Sequence, residues 1–285
     1  MSIKYYDLKD GTKLCYKDTG TGRPVIFLHG WGESKKDWDA YEPIISGAGF
    51  RFICLDQRAA KDTASSNTHP VTEYLLVDDV AELIESLDLH NVTLVGHSLG
   101  VTEVINYCGR YGNDRLQSVV LMDAPPKQCC IEGEGYEFGI WNNTFTTEKG
   151  YSDSDWMDRD MHDYLKNWIM DSNPEIRNNA DPDKAASDWA DNYMAAFHMP
   201  DMAELYRSTI AVDERANVPK ITVPMAFFYP DPGNICRADL WTWYRDNATC
   251  DFTAYGFPSE SHFFCIEEEH IPAVTGKLVE FLKTK

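Results

Sequence analysis

Apolar positions in the first half of the chain follow two alternating rhythms. Short continuous runs at 24–28 (PVIFL), 51–55 (RFICL), 91–95 (NVTLV) and 116–122 (LQSVVLM) read as strands buried on both faces. Residues 12–17 (TKLCYK) add a further strand. Between these runs the period is helical. Across 71–89, Leu75, Leu76, Val80, Leu83, Ile84 and Leu87 recur at three- and four-residue spacing, and residues 100–111 predict the next helix. Continuous apolar strands separated by amphipathic helices predict a mostly parallel sheet with helices on both faces.

The rhythm breaks after the run at 116–122. From about 127 to 215 no segment reads as a strand. Residues 155–170 place Trp156, Met157, Met161, Tyr164, Leu165, Trp168 and Ile169 on one helical face, and 183–197 do the same with Trp189, Tyr193 and Phe197. Strands resume at 221–229 and 251–255, and a helix over 272–282 closes the chain. The economical reading is an α/β core of residues 1–126 and 216–285, interrupted by a helical cap insertion at 127–215.

Composition narrows the partners. The chain has 285 residues, enough to bury a full core, and a net charge of −20. A surface that negative repels phosphate backbones and anionic lipid, so neither nucleic acid nor membrane is expected as a partner. The first residues, MSIKYYDLKDGTKL, lack an apolar leader segment, and the eight cysteines show no zinc-ligand spacing. The expectation is a cytoplasmic protein with reduced thiols, without metal or organic cofactor. The acidic run YSDSDWMDRDMHD lacks the glycine and closing glutamate of a calcium loop and reads as a helix start. Oligomeric state leaves no mark on the pattern.

The chemistry concentrates at strand ends. VTLVGHSLG, residues 92–100, runs from a buried strand through Gly96-His97-Ser98-Leu99-Gly100 into a helix. This is a nucleophile elbow in its required context, with Ser98 on a strained turn and the following helix aimed at developing negative charge. FLHGWG, 27–32, follows an earlier strand and offers the backbone N–H of Trp31, which with that of Leu99 can form an oxyanion hole. His29 in that loop reads as structural. Two histidines, His262 and His270, follow the last strand, and His262 is placed to swing over the sheet edge.

HGWG, GHSLG and SESHFF occur in an order and context that resemble the α/β-hydrolase fold superfamily, within its serine esterase, lactonase and cofactor-free haloperoxidase branch. ESLDLHNVTLVGHSLGVTEVINYCGRYG is particularly similar to that branch. The resemblance covers both core segments and fades in the insertion. It implies a Ser–His–acid triad, with Ser98 as nucleophile and His262 as general base and then acid. Serine at 98 argues against the aspartate-nucleophile chemistry of dehalogenases and epoxide hydrolases on the same scaffold.

The chain departs from the family pattern twice. Where relatives carry a glycine-rich loop after the third strand, this chain reads Asp56-Gln57-Arg58-Ala59-Ala60-Lys61, and losing both glycines predicts a less ordered loop. Where the common pattern places the acid, FFYPDPGNIC offers Gly233, with Asp231 two residues early between prolines. The other source is Asp123 in LMDAPP, since some relatives draw the acid from that earlier strand and carry a Pro-Gly turn here. Asp123 is preferred and Asp231 is the runner-up.

The insertion is dense in aromatic residues. Most of them pack the cap, while Trp141, Trp168 and Trp189, with Trp31 and His97 from the core, are candidates to line an apolar substrate pocket. That points to a hydrophobic carboxylic ester or lactone of small to medium size. Two alternatives stand beside it: a perhydrolase or haloperoxidase-like activity on the same triad, and a binding protein that turns over slowly.

Overall fold

A computed structural model describes residues 3–285. Eight strands form one sheet: β1 (Ile3–Asp7), β2 (Lys13–Thr19), β3 (Pro24–Leu28), β4 (Arg51–Asp56), β5 (Val92–His97), β6 (Leu116–Met122), β7 (Met225–Pro232) and β8 (Phe252–Ser259). Their spatial order is β1-β2-β4-β3-β5-β6-β7-β8. β2 runs antiparallel to both β1 and β4, and every pairing from β4 to β8 is parallel. The helices are α1 (Tyr41–Gly47), α2 (Glu73–Ser86), α3 (Leu99–Tyr111), α4 (Ile140–Asn143), α5 (Thr147–Arg159), α6 (Met161–Ser172), α7 (Pro174–Arg177), α8 (Pro182–Ala196), α9 (Met199–Ala211), α10 (Leu240–Asn247) and α11 (Ile271–Thr284). Among the described residues no helix is long and apolar enough to cross a membrane.

The apolar strands are continuous because both faces are covered. In β3, Ile26 and Leu28 join α2, α3 and α10 on one side, while Val25 and Phe27 join α1 and α11 on the other. Thr72 fixes the start of α2 by accepting from Leu75 N–H at 3.2 Å. These two packed layers hold the carboxyl ends of β3, β5 and β6 side by side, which is where open α/β sheets bind their ligands.

Helices α4 to α9 all lie between β6 and β7, and no named strand interrupts them among the described residues. The helix expected over 155–170 is broken in two. Asp160 leaves helical geometry (φ −156°, ψ 87°), and its carboxylate accepts from Asp163 N–H at 2.9 Å, so a single residue ends α5 and caps α6. The expected strand at 221–229 begins later and runs on through Pro232. There Pro230 and Pro232 stand in register with Phe257 and Ser259 of the edge strand β8.

The loop after β4 also departs from expectation. Rather than being loosened, Ala59 and Ala60 are buried against Phe197 and Met202. Backbone bonds from His198 N–H to Ala59 O (2.6 Å) and Lys61 N–H to Ala196 O (3.0 Å) tie the loop to the end of α8. Methyl groups that glycines would lack fill the contact with the inserted helices. Ala59 pays for it with φ 79°, a left-handed conformation that disfavours a side chain.

Candidate active site

The turn at Ser98 is strained as the motif requires. Ser98 has φ 53° and ψ −117°, and it stands between β5 and the first residue of α3. A Cβ on Gly96 would lie 2.1 Å from Gly100 O, and one on Gly100 would lie 2.5 Å from Leu28 O. The two glycines are therefore demanded by backbone contact, on either side of the serine. Ser98 N–H donates to Met122 O at 3.1 Å, which locks the elbow to β6.

The residue that follows β6 is Asp123, with φ 49° and almost complete burial. Its N–H donates to Phe228 O at 3.0 Å, and its Oδ2 lies 2.7 Å from His262 Nδ1. His262 is buried to the same degree, yet its ring reaches the cavity that Ser98 also lines. With Nδ1 engaged by the carboxylate, Nε2 is the nitrogen left for the cavity. Asp231, by contrast, is exposed at the tip of β7, in register with Pro258. The structure thus brings together Ser98, His262 and Asp123, and leaves Asp231 outside.

That cavity has a volume of about 420 Å³. Trp31, Ser98, Leu99 and His262 line it from the sheet side, and Trp141, Trp168 and Trp189 from the inserted helices. The N–H of Leu99 opens the first turn of α3, where amides have no acceptor within their own helix. Trp31 also ties the two sides together, its Nε1–H donating to Met202 O at 3.1 Å. Tyr164, Tyr193, Tyr206, Gln128 and Ile235 complete much of the wall, and sequence pattern had singled out only some of them. Ile235 comes from the stretch FFYPDPGNIC, whose turn therefore contributes to the cavity rim.

His97 is not on this wall. Its side chain is fully buried beneath it, with Nδ1 2.9 Å from Glu33 Oε1 and Nε2 3.0 Å from the carbonyl oxygen of His262. Its place in the elbow motif marks it in the sequence. Its direction, away from the cavity, follows from strand alternation against Ser98 on the turn. Glu33, which does reach the cavity, accepts from Gly30 N–H at 2.8 Å. Burial would push its carboxyl up, but the charge and hydrogen bond of His97, helped by Gly30 N–H, hold it below the ordinary carboxylate range. Sequence reading missed this glutamate, although it follows HGWG directly.

His29 is structural, as expected. Gln57 N–H donates to its Nε2 at 3.0 Å, so that nitrogen is unprotonated, and Nδ1 donates to Gly30 O at 2.9 Å. His198 faces Thr63 O at 3.0 Å and is not among the cavity-lining residues.

Comparison with known proteins agrees with this geometry. The family model for the alpha/beta hydrolase fold matches residues 23–219. A non-heme chloroperoxidase of Kitasatospora aureofaciens is 39% identical over 122 residues, covering 41% of this chain and 42% of that protein. A bifunctional esterase/perhydrolase of Acinetobacter calcoaceticus is 40% identical over 125 residues, 43% of this chain and 45% of that one. The chain thus spans under half the length of these curated relatives. Among solved structures, an esterase from Exiguobacterium antarcticum superposes with a TM-score of 0.80 at 22% identity, covering 98% of both chains. Family match, sheet order and elbow agree, and the chain belongs to the alpha/beta hydrolase fold family.

Proposed function

We propose that this protein is a serine hydrolase that cleaves a hydrophobic carboxylic ester or lactone through an acyl-enzyme. The observation that carries the reading is the 2.7 Å bond between His262 Nδ1 and Asp123, beside a strained Ser98 at the floor of an aromatic cavity. Asp123 holds His262 in the tautomer whose Nε2 can accept the Ser98 proton. Ser98 Oγ then attacks the substrate carbonyl, and the N–H groups of Trp31 and Leu99 stabilise the oxyanion. His262 returns the proton to the leaving oxygen, and water, activated the same way, releases the acid and restores Ser98. The neutral aromatic wall suits an apolar acyl or alcohol group, and a cavity of about 420 Å³ suits one of modest size.

A second reading is supported by the Acinetobacter relative, named as both esterase and perhydrolase. Hydrogen peroxide in place of water would take the acyl group from Ser98 and leave as a peracid, with the serine hydroxyl regenerated. The experiment is a fluorophosphonate label followed by turnover of p-nitrophenyl esters, lactones, and a short carboxylic acid with peroxide. Ser98 becomes labelled in the native protein, and Ser98→Ala abolishes both label and turnover. A folded protein that neither labels nor turns over any of these would make the chain a binding protein.

A further inference from the structure

His97 sits between two groups that can only accept. The carbonyl oxygen of His262 faces Nε2 at 3.0 Å, and the Glu33 carboxylate faces Nδ1 at 2.9 Å. A carbonyl oxygen cannot donate, so Nε2 must carry a proton; an ionised carboxylate cannot donate either, so Nδ1 carries the second. The ring is fully buried, and its centroid lies 4.7 Å from that of His262. From these observations we propose that His97 is a fixed imidazolium, a positioning residue whose Nε2–H pins the backbone of His262. The proposal rests on the hydrolase reading, in which His262 is the group that must gain and lose a proton.

The groups around the pair fit this assignment. Glu33 and Asp37 face it from the segment after β3, Cys265 from the loop before α11, and Asp123, with Cys236 beside it, from the far side of His262. Burial works against charge on His97, but the Glu33 carboxylate bonded to Nδ1 outweighs it and holds the imidazolium well above the ordinary histidine range. His29, one loop away, shows the contrast, since a backbone N–H occupies its Nε2 and the ring is neutral. Glu33 balances the charge of His97, but from the Nδ1 side, while the ring itself lies against His262. The His97 Nε2–H holds the His262 carbonyl oxygen, and Asp123 holds Nδ1, so the His262 residue is fixed through both its backbone and its ring.

The test follows the histidine rings by nitrogen NMR in the native protein and in a Glu33→Gln/His97→Gln double variant, which replaces both charges with amides of similar reach. In the native protein both nitrogens of His97 are protonated at neutral pH. In the double variant kcat for a p-nitrophenyl ester falls about tenfold while KM moves less than about twofold, because the His262 ring loses its position rather than its partner. A singly protonated His97 at neutral pH, with the proton on Glu33 instead, overturns the proposal. So does a kcat unchanged between the two proteins. Should the double variant fail to fold, the protonation state of His97 in the native protein decides alone. Failure of the hydrolase reading would appear separately, as a Ser98 that takes no fluorophosphonate while His97 still shows two protons.

Discussion

The floor of the cavity and its roof are built by different means. Under the substrate space, Ser98, Asp123 and His262 are each held by named hydrogen bonds: Ser98 N–H to Met122 O, Asp123 N–H to Phe228 O, and His262 to Asp123. Over it, Trp189 stacks on Tyr193 with ring centroids 4.9 Å apart and tilts against Trp168 at 5.7 Å, so that shape is kept by ring against ring. Directional bonds fix positions to a fraction of an ångström, whereas aromatic packing tolerates exchange of one large ring for another. Under the proposed hydrolase reading, the difference assigns reaction type to the floor and substrate preference to the roof.

The sharpest way to break that division is at the acid. Asp123→Asn should lower turnover about 10⁴-fold by reversing the His262 tautomer, with the unfolding midpoint little changed. Asp231→Asn, on the exposed tip of β7, should leave kcat within about twofold, since surface changes away from a site are near neutral. Steady-state kinetics on one ester decides between them, and the reverse pattern would move the acid to β7. At the roof, Trp189→Ala should raise KM about tenfold for bulky esters while kcat falls less, because it removes binding area rather than a reacting group. Equal losses in kcat for small and bulky esters would place Trp189 with the floor.

Stability tests the floor from beneath. Glu103, on α3 behind the elbow, is buried and has no hydrogen-bond partner for either carboxyl oxygen among the described residues. Burial first, and then the charges of Glu73 and Asp79, push its carboxyl well above the usual range. Above about pH 4.3 the unfolded chain releases this proton while the folded chain keeps it, so the native state loses ground as pH rises toward the folded value. Glu103→Gln removes that loss. Thermal unfolding should show the variant about 2–4 °C more stable at pH 8, with the gap closing toward pH 4. The smallest effect is expected at Ala59→Gly. It relieves a left-handed alanine by roughly 1 kcal/mol but gives up a buried methyl and gains chain entropy in the unfolded state, so the midpoint should move by about 2 °C or less.

How far the sequence could be read follows the same division. β3 and β6 appear residue for residue as apolar runs, because both faces of those strands are covered and no polar alternation interrupts them. Ser98 was legible because the turn needs two glycines at fixed spacing. The break at Asp160 was not, since the apolar spacing of 155–170 continues across it and a single side-chain cap ends one helix and begins the next. Neither was the Glu33–His97 pair, whose members lie 64 residues apart and meet only once β3 and β5 are adjacent. The choice between Asp123 and Asp231 depended on how far β7 runs before it turns. The strand expected to end at 229 pairs with β8 through Pro232, which carries Asp231 to an exposed tip, while Asp123 meets the histidine.

The bond from Ser98 N–H to Met122 O has a mechanical meaning. Together with the bond from Asp123 N–H to Phe228 O, it makes Ser98 and Asp123 successive rungs of one ladder that crosses β5, β6 and β7. Sliding one against the other would require shearing the sheet. The helices above can therefore deform without changing the alignment of Ser98 with Asp123.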